Sequence, residues 1–397
     1  MSDRNSENIK VAVIENALLS SYTAREGLMK ELVALNFDVH ILTNAVENIE
    51  KVERMGVKVV NIGSANYNPL DISGYIFRLT KNLIRIKPDI CLTFSIRPTI
   101  WGNLIARFLK IPVITNITGT GPLFQSKSNA YKIIRKVYPI ALRKTKIVFF
   151  QNTDDRNEFI KRGYVINAQT RMIPGSGVDH QKFKPIYLEK NPNSPFTFLY
   201  IGRLLKDKGV PEFVEASRLT KEKFPNVKFR IVGPVWKQNM KSNTISETQL
   251  NEWIREGLID YAGETTDVRD EIAACDCLVL PSHREGMSNV LLEAASMEKP
   301  TIASDVPGCR EIIEDGITGL LCEVQNPLNL AVKMQDMIGF SCTEREEMGQ
   351  RARKKVIREF DKRIVIDNYI REIENQLNLE LPPVTVIQEE LAPVENL

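Results

Sequence analysis

Short runs rich in β-branched residues alternate with longer helical patterns along most of the chain. Such an alternation is typical of parallel sheets with crossover helices. It predicts an α/β fold of two successive doubly wound units, whose ligand lies between them at the carboxyl ends of the strands. The candidate strands of the first half are Lys10–Glu15, Val39–Thr43, Val57–Ile62, Ile90–Phe94, Val113–Ile117, Ile147–Gln151 and Met172–Ile173, with helices at Thr23–Leu35, Tyr75–Ile86 and Ala130–Leu142. Those of the second half are Thr197–Ile201, Lys228–Val232, Ile259–Ala262, Cys277–Leu280, Thr301–Ala303 and Gly319–Leu321.

The alternation stops between Phe183 and Pro195, where the sequence is rich in Pro and Asn and has no periodicity. At roughly 150 residues per domain, a chain of 397 residues corresponds to two or three domains. We therefore predict two domains, at residues 1–185 and 195–360. A helical pattern then runs without interruption from Glu344 to Gln376, and residues 379–397 are predicted to be a mobile tail.

The composition is that of a soluble globular protein, with 43% hydrophobic and 26% charged residues. No apolar run reaches the 18 or so residues that span a bilayer, and the polar opening MSDRNSENIK resembles neither a secretory signal nor a transit peptide. We therefore expect a cytoplasmic protein. The six Cys lie mostly within apolar runs and form no CxxC pair, which favours reduced core thiols over disulfides or a metal site.

The charges are unevenly distributed, although the net charge is only +3. Between Ile90 and Thr153 there is no Asp or Glu, while the same stretch contains many bases. Such a segment suits an anionic partner, which can be nucleic acid, a membrane surface or a phosphorylated substrate. The alternative is a solvated helix face. The bases are Arg97, Arg107, Lys110, Lys127, Lys132, Arg135, Lys136, Arg143, Lys144 and Lys146.

Within this segment, the helix at Ala130–Leu142 offers a candidate face for a membrane. Helical spacing places Tyr131, Ile134, Val137 and Tyr138 near one side, with bases beside them. We predict that this side docks on anionic lipid.

Cationic residues follow the first strand of the second unit, in the sequence GRLLKDKG. Gly202 permits a tight turn, and Arg203 and Lys208 then project near the start of the next helix. Two cations beside helix-end amides suit a diphosphate. An ordinary surface Arg and Lys at a strand end is the alternative.

A second polar cluster lies about eighty residues further on, in the sequence LPSHREGMSNVLLEA. Glu285 falls in a loop and Glu293 in the helix that follows, for which Ser288 or Asn289 is a good N-cap. Gly286 allows a close backbone approach. Carboxylates are strong acceptors for vicinal hydroxyls, so two at one helix mouth suit a sugar and a ribose. Alone, Glu293 could simply stabilise the helix dipole.

These segments bear on the three function classes that the fold leaves open, which are a nucleotide-sugar transferase, a dehydrogenase and a two-lobed binding protein. The dehydrogenase lacks support, because no GxGxxG follows the first strand, and GTGPLF at 119–124, which follows a later strand, lacks the third Gly of that motif. Nothing in the sequence resembles a Ser–His–Asp set or a zinc cluster.

Residues 197–322 resemble the donor-binding domain of the family-4 retaining glycosyltransferases of the GT-B fold. The resemblance rests on GRLLKDKG, FRIVGP, YAGETTDV and CDCLVLPSHREGMSNVLLEAASMEKPTIASDVPGCREIIEDGITGLL. Glu285 and Glu293 match the E-x7-E motif of that family. The resemblance implies two Rossmann-like domains facing a cleft, a retained anomeric configuration, no required cofactor and no metal.

The resemblance also implies roles for individual residues. Arg203 and Lys208 would contact the diphosphate, Glu293 the ribose hydroxyls and Glu285 the donor sugar, with Glu285, Arg203 and Lys208 carrying catalysis. Donor-binding residues would further include Gly202, Gly286, Met287, Ser288 and Asn289, while Pro234 and Thr265–Asp267 would border the base. The N-terminal domain would bind the acceptor and the C-terminal domain the nucleotide sugar. A terminal helix at 361–378 would return to the N-terminal domain.

The first half resembles bacterial enzymes that extend polyprenyl-diphosphate-linked sugars, through FSIRPTIWGNLIARFLKIPVITNITGTGPLF. Two features depart from that family. Ser20-Ser21 replaces a Gly-Gly loop, and Thr118, Gly119, Thr120 and Gly121 stand where some relatives carry a His. The amides of this second loop could form an anion-binding or acceptor-binding nest, and Arg97 is a further acceptor-side candidate.

The sequence thus predicts a retaining transferase that moves a hexose or N-acetylhexosamine from a nucleotide sugar, expected to be UDP-linked, to a lipid-linked glycan in surface polysaccharide assembly. Its expected partners are a polyprenyl-diphosphate acceptor and an anionic membrane surface at the inner face of the plasma membrane, and nucleic acid is not expected. An epimerase or synthase on the same fold, or a non-enzymatic two-lobed sugar-binding protein, remains the alternative.

Overall fold

Two parallel sheets follow one another along the chain in a computed structural model that describes residues 9–44, 48–63, 69–121, 123–124, 126–189, 191, 194–235 and 243–381. The first sheet contains β1 (Lys10–Ile14), β2 (Asp38–Thr43), β3 (Lys58–Asn61), β4 (Ile90–Phe94), β5 (Val113–Ile117), β6 (Ile147–Phe150) and β7 (Thr170–Met172). The second contains β8 (Phe196–Ile201), β9 (Val227–Val232), β10 (Asp260–Tyr261), β11 (Cys277–Leu280), β12 (Thr301–Ser304) and β13 (Leu320–Cys322). The predicted strands are confirmed, and their ends differ from the predicted ones by at most two residues.

Helices connect the strands as the alternating pattern predicts. Those of the first half are α1 (Leu19–Tyr22), α2 (Glu26–Ala34), α3 (Ile49–Glu53), α4 (Pro69–Ile86), α5 (Ile96–Phe108), α6 (Asn129–Leu142) and α7 (Thr153–Lys161). The others are α8 (Val210–Lys223), α9 (Glu247–Arg255), α10 (Arg269–Ala274), α11 (Asn289–Ser296), α12 (Pro327–Gly339), α13 (Cys342–Glu359) and α14 (Lys362–Leu377). Helices cover both faces of the first sheet, so β4 and β5 are buried along their whole length. Their buried Thr93 and Thr115 hydroxyls form a hydrogen bond with each other at 2.9 Å.

Each sheet reverses its strand order once. The first has the order β3-β2-β1-β4-β5-β6-β7 and the second β10-β9-β8-β11-β12-β13. The reversals fall between β1 and β4 and between β8 and β11, which pair in parallel. In open α/β sheets, ligands bind beside such a reversal, at the carboxyl ends of the strands. The two polar clusters of the second half follow β8 and β11, so the topology makes them neighbours.

The uninterrupted helix expected from Glu344 to Gln376 is wrong, because the chain breaks between α13 and α14. The carbonyl of Phe360 accepts a hydrogen bond from the amide of Val178 at 2.8 Å, and the amide of Lys362 donates to the carbonyl of Val178 at 3.0 Å. The side chain of Asp361 then caps α14 by accepting from the amide of Arg363. Backbone hydrogen bonds to the segment that connects the two sheets therefore replace the helical hydrogen bonds at this point. The helix expected over Thr23–Leu35 is present as α2, which begins three residues later, and the short helix α1 precedes it.

Helix α14 packs against the first sheet. Val365, Ile366 and Tyr369 belong to one apolar cluster with residues of β1, β2 and α2, and the Tyr369 hydroxyl accepts a hydrogen bond from Asn116 at 2.7 Å. The partly buried Leu379 and Leu381 join this cluster, so the first residues of the expected tail are packed. The remainder of that tail, 382–397, lies outside the described residues.

Helix α6 turns the face predicted for lipid toward the protein interior. Tyr138 is fully buried, and Tyr131, Ile134 and Val137 pack against the same apolar cluster. The prediction of that face is wrong, because its aromatic and branched side chains fill the core between α5, α6 and β6. The exposed side of α6 instead carries Ile133 and Ile140.

Of the six Cys side chains, five are buried, as expected from their apolar surroundings, whereas Cys342 is exposed at the start of α13. Within the part of the chain that the structure describes, no helix combines the length and apolarity that crossing a bilayer needs.

Candidate active site

The pairing of β8 with β11 brings the two polar clusters into contact at the carboxyl end of the second sheet. Gly209 stands at the start of α8 with a φ of +76°, and a Cβ on it would lie 2.0 Å from the carbonyl oxygen of Pro281. The amide of His283 donates to the carbonyl of Asp207 at 2.9 Å. The loop after β8 can approach the loop after β11 this closely only because residue 209 has no side chain.

A second close backbone contact joins the loop after β9 to the loop after β8. Gly233, which follows β9, has a φ of +143°, and a Cβ there would lie 2.0 Å from the carbonyl oxygen of Gly202. The loop continues to Pro234, whose carbonyl accepts a hydrogen bond from the amide of Leu204 at 3.1 Å. Bare backbone therefore lines the end of the sheet where the sequence predicts a diphosphate and a base.

Lys208 and Glu285, which are 77 residues apart, form an ion pair. The ammonium Nζ donates to Glu285 Oε1 at 2.7 Å, and the two side chains are 22% and 13% exposed. A partly shielded pair of this kind attracts more strongly than one in bulk water. Because each charge satisfies the other, a ligand that binds either group must share or replace this contact.

Glu293 lies one turn into α11, and its position follows from the local sequence. Ser288 caps this helix, as predicted, by accepting a hydrogen bond from the amide of Leu291. The Glu293 carboxyl faces the cavity between the sheets. Its pKa is raised to about 7, chiefly by burial, with smaller effects from Lys182, which lowers it, and Asp267, which raises it. A carboxyl group with this pKa changes its charge near neutral pH.

The cavity has a volume of about 830 Å³, within the range of small-molecule sites. Residues after the carboxyl ends of both sheets contribute to its lining. From the second half it takes Gly202, Arg203, Gly233, Pro234, Thr265, Thr266, Asp267, Asn289 and Glu293, and from the first half Tyr22, Arg25, Asn48, Lys51 and Asn116. This lining joins bases and carboxylates to apolar surface, which is what a nucleotide sugar requires.

The loop after β5 touches the loop after β11. A Cβ on Gly286 would lie 2.2 Å from the carbonyl oxygen of Thr118, and one on Gly119 would lie 3.2 Å from Gly286 Cα. The side chain of Asn152 donates to the carbonyl of Gly286 at 2.8 Å. The predicted acceptor loop and the predicted donor loop therefore meet backbone to backbone.

An ion pair reinforces this contact. The carboxylate of Asp155, which is almost fully buried, binds the guanidinium of Arg284 and accepts a hydrogen bond from the Thr120 hydroxyl at 3.4 Å. Asn152 caps α7 by accepting from the Asp155 amide at 2.8 Å. The side chains of Asn152, Asp155 and Arg284 thus hold the loop after β5 and the loop after β11 together.

Most of the predicted site residues lie in or next to the cavity. Gly202, Arg203, Pro234, Asn289 and Glu293 line the cavity. Beside them stand the Lys208–Glu285 pair, Gly286, the capping Ser288 and Met287, whose side chain fills the space next to Gly175. Thr118, Gly119 and Thr120 reach the second half through the contacts above, and Gly121 follows them with a φ of +47°.

Arg97 lies elsewhere, at the start of α5. It is close to the buried Tyr75, where burial raises the pKa of the phenol and the guanidinium of Arg97 lowers it. Among the described residues, Arg97 is not part of the cavity lining.

The sequence reasoning missed Asn152, Asp155 and Arg284, and also Arg25 and Lys182 of the cavity. One signal was available, because Asn152 directly follows a strand and precedes Thr-Asp-Asp, which is a helix start. In the ranges that the structure describes, no three His, Cys, Asp or Glu side chains are grouped as metal ligands would be.

Two family models match the chain. The model described as glycosyl transferases group 1 matches residues 185–355, and the one described as glycosyl transferase 4-like matches residues 10–152.

Several proteins of known role are similar over most of their length. The chain is 25% identical over 383 residues to N,N'-diacetylbacillosaminyl-diphospho-undecaprenol alpha-1,3-N-acetylgalactosaminyltransferase of Campylobacter jejuni, covering 91% of this chain and 98% of that protein. It is 30% identical over 281 residues to UDP-Gal:alpha-D-GlcNAc-diphosphoundecaprenol alpha-1,3-galactosyltransferase of Escherichia coli, covering 66% and 70%.

Solved structures share the fold at lower identity. A glycosyltransferase from Rickettsia africae superposes with a TM-score of 0.75 at 19% identity, covering 94% of this chain and all of that one. The Anabaena protein HepE in complex with UDP-glucose superposes with a TM-score of 0.75 at 17% identity, covering 92% and 99%. The architecture of two Rossmann-like domains is therefore the GT-B fold, as predicted.

Proposed function

Because the chain belongs to the group 1 and 4-like glycosyl transferases, we propose that it moves a hexose or N-acetylhexosamine from a UDP-linked donor to a polyprenyl-diphosphate-linked glycan. The observation that carries the proposal is the cavity between the two sheets. Arg203 and Glu293 line it, and the Lys208–Glu285 pair stands beside it. Two relatives are named for undecaprenyl-diphosphate-linked acceptors, and the HepE complex contains UDP-glucose.

The C-terminal domain, residues 195–360, holds the donor. Glu293 accepts from the ribose hydroxyls, while Pro234 and Thr265–Asp267 border the base. Arg203 and Lys208 bind the diphosphate, supported by the bare backbone at Gly202 and Gly233. These positions agree with a nucleotide lying across the carboxyl ends of β8 and β9.

The chemical step depends on the leaving diphosphate. As the bond from the sugar to the diphosphate breaks, negative charge grows on the phosphate oxygens, and Lys208 and Arg203 neutralise it. Glu285 exchanges its contact with Lys208 for hydroxyls of the donor sugar, which orients the ring. The acceptor hydroxyl attacks the oxocarbenium-like centre from the face that the diphosphate leaves and passes its proton to an oxygen of that diphosphate, so the anomeric configuration is retained.

The N-terminal domain, residues 1–185, holds the acceptor. Its half of the cavity offers Arg25 and Lys51, which suit the diphosphate of a lipid-linked glycan. The Thr118–Gly121 loop, in contact with Gly286, orients the acceptor hydroxyl toward the donor. Helix α14 belongs with this domain, because its apolar side chains pack into the core of the first sheet.

A lipid-linked acceptor requires access to a membrane, and the outer surface of α4, α5 and α6 suits one. Exposed apolar side chains stand on it together with exposed bases, a combination that favours anionic lipid. The apolar members are Leu70, Phe77, Ile84, Phe108, Ile133 and Ile140, and the bases beside them include Lys81, Arg85, Lys132, Lys136 and Arg143. We call this surface the helical face, and we propose that it docks the protein peripherally on the membrane.

The proposal is tested by incubating the protein with a panel of nucleotide sugars and a polyprenyl-diphosphate-linked glycan. Mass spectrometry of the extracted lipid is expected to show one added hexose or N-acetylhexosamine with a UDP-linked donor. The new linkage, analysed by nuclear magnetic resonance, is expected to keep the donor's anomeric configuration. An epimerised nucleotide sugar with an unchanged lipid would contradict transfer, and an inverted linkage would contradict retention.

A further inference from the structure

A second cavity, of about 390 Å³, lies at the opposite end of the first sheet from the cleft. Its walls come from the segments that lead into β5 and β6, together with α5, α6 and the end of α14. The predicted acceptor loop follows the carboxyl end of β5, one strand length away. At about 3.3 Å per residue, that five-residue strand separates the cavity from the cleft by roughly 16 Å.

The cavity carries four positive charges and no acidic lining residue among those described. Arg107, Lys110, Lys144 and Lys146 line it. Arg107 donates to the carbonyl of Ile140 at 3.0 Å. Within the described ranges, none of the three lysines forms an ion pair with an acid. Four clustered cations without counter-charges raise the local concentration of anions.

The floor of the cavity adds an unpartnered polar group. Both polar atoms of the Gln376 side chain are buried, and neither has a hydrogen-bond partner among the described residues. Asn103 and Thr145, which also line the cavity, bond to each other at 2.9 Å and are satisfied. A buried amide without a partner costs free energy unless a ligand bonds to it, and its N–H can donate to an anion.

Apolar side chains stand directly outside this cavity. Phe108, next to Arg107 in the chain, is 82% exposed, and Ile140, whose carbonyl Arg107 binds, is 53% exposed. Both belong to the helical face. A ligand with a charged end and an apolar or neutral body therefore matches both parts of the site.

We propose that this cavity binds a phosphate ester, presented either as the headgroup of an anionic phospholipid or as a soluble organic phosphate. The phosphate lies among Arg107, Lys110, Lys144 and Lys146, and the amide of Gln376 donates to it. The lipid source rests on the proposed membrane docking, whereas the soluble source is independent of it. The site lies apart from the cleft, so it can be tested without glycosyl transfer.

The soluble arm titrates glycerol 3-phosphate into the full chain by calorimetry. Three variants are compared with the wild type: Lys144→Gln with Lys146→Gln, Gln376→Leu, and a control with Lys228→Gln and Lys354→Gln, which removes the same charge from exposed lysines outside both the cavity and the helical face. Saturable binding that weakens about tenfold or more in the first two variants, and less than about twofold in the control, supports a soluble ligand. UDP affinity serves as the folding control for all three variants.

The lipid arm compares vesicles that contain phosphatidylglycerol with vesicles that carry equal charge as oleate. A preference for phosphatidylglycerol that the cavity variants lose and the control pair keeps supports the headgroup source. The proposal is overturned if glycerol 3-phosphate does not bind saturably and the two vesicles bind equally. It is also overturned if the control pair loses as much as the cavity pair, because the effect is then general charge. These binding results do not depend on whether the protein transfers a sugar.

Discussion

Lys208 Nζ lies 2.7 Å from Glu285 Oε1, so the residue proposed to neutralise the leaving diphosphate is paired with the residue proposed to contact the donor sugar. The pair joins the ends of β8 and β11, the two strands between which the order of the second sheet reverses. Under the proposed mechanism, a donor that binds here exchanges this internal ion pair for two contacts with substrate.

Removal of Lys208 tests this role. Lys208→Ala is expected to lower the single-turnover rate by about a hundredfold, equivalent to about 2.7–4 kcal/mol, while UDP-sugar affinity falls much less. The reason is that phosphate charge grows only as the bond breaks. Lys208→Arg, which keeps the charge, serves as the matched control. Equal losses in affinity and rate would show that Lys208 acts in ground-state binding only.

Substitutions of the two carboxylates, Glu285 and Glu293, are expected to affect the binding of different ligands. Every UDP-linked donor contains the same ribose, which Glu293 is proposed to bind, whereas Glu285 is proposed to contact the variable sugar. Glu293→Gln is expected to weaken UDP and UDP-sugar alike, since an amide replaces only part of a bidentate acceptor. Glu285→Gln is expected to leave UDP affinity near that of the wild type and to lower transfer by about a hundredfold, from the loss of a charged hydrogen bond of about 1.5–3 kcal/mol. Calorimetry and single-turnover rates measure both, and UDP affinity that falls as far in Glu285→Gln as in Glu293→Gln would reverse the assignment.

The raised pKa of Glu293 predicts a pH dependence of UDP binding. Burial raises this pKa to about 7, so the carboxyl is mostly protonated at pH 6 and mostly ionised at pH 8. The carboxylate is the better acceptor for ribose hydroxyls, and UDP affinity is therefore expected to rise across this window. The pH dependence of folding stability has the opposite sign. A carboxyl whose pKa rises on folding contributes its full stabilisation below its unfolded pKa, and this contribution is lost as the pH rises through the folded pKa of about 7. Calorimetry with Glu293→Gln as the control checks the first effect, and a slope that persists in this variant would assign it to another group.

Contact between the two loops predicts a steric effect at Gly286. A Cβ there would lie 2.2 Å from the carbonyl oxygen of Thr118, so Gly286→Ala must separate the loop after β5 from the loop after β11. Transfer is expected to fall by about a hundredfold, since a misplacement of about 1 Å can cost that much, with UDP affinity changing little. Gly339→Ala is the matched control, because a Cβ at that position meets nothing within 4 Å. A fully active Gly286→Ala enzyme would show that the contact is not needed for transfer.

The helical face predicts salt-sensitive binding to anionic vesicles. Each surface base contributes about 1 kcal/mol, screened by salt, so Lys132→Gln with Lys136→Gln is expected to weaken binding by about tenfold or more at low salt. The matched control is Lys228→Gln with Lys354→Gln, which removes two exposed lysines of the second domain. Sedimentation with vesicles measures both pairs, and equal effects would contradict docking through this face.

Strand positions could be predicted closely, because buried parallel strands are short and apolar on both faces. Val113–Ile117 and Cys277–Leu280 have the bounds that the sequence predicts. The helical periodicity does not show the break between α13 and α14, which the family resemblance alone suggested, since it depends on hydrogen bonds with Val178, about 180 residues earlier in the chain. The orientation of α6 was missed for a related reason. Apolar residues occupy two sides of that helix, and only packing decides which side is buried.

The donor half of the site could be predicted because its residues are adjacent to strand ends and carry charge. Gly202, Arg203 and Glu293 line the cavity as the motif spacing suggests. The contacts between the two halves could not be predicted in the same way. Asp155 and Arg284 meet only because two separate sheets face each other, and no local pattern encodes that distance.

The most direct test of the account is the release of UDP in single turnovers with and without the polyprenyl-diphosphate-linked glycan. The account predicts that UDP forms rapidly only when the acceptor is present, in step with the extended lipid, and that Arg203→Ala slows both by about a hundredfold. UDP that forms at the same rate without acceptor, or a lipid that is never extended by any nucleotide sugar, would contradict it.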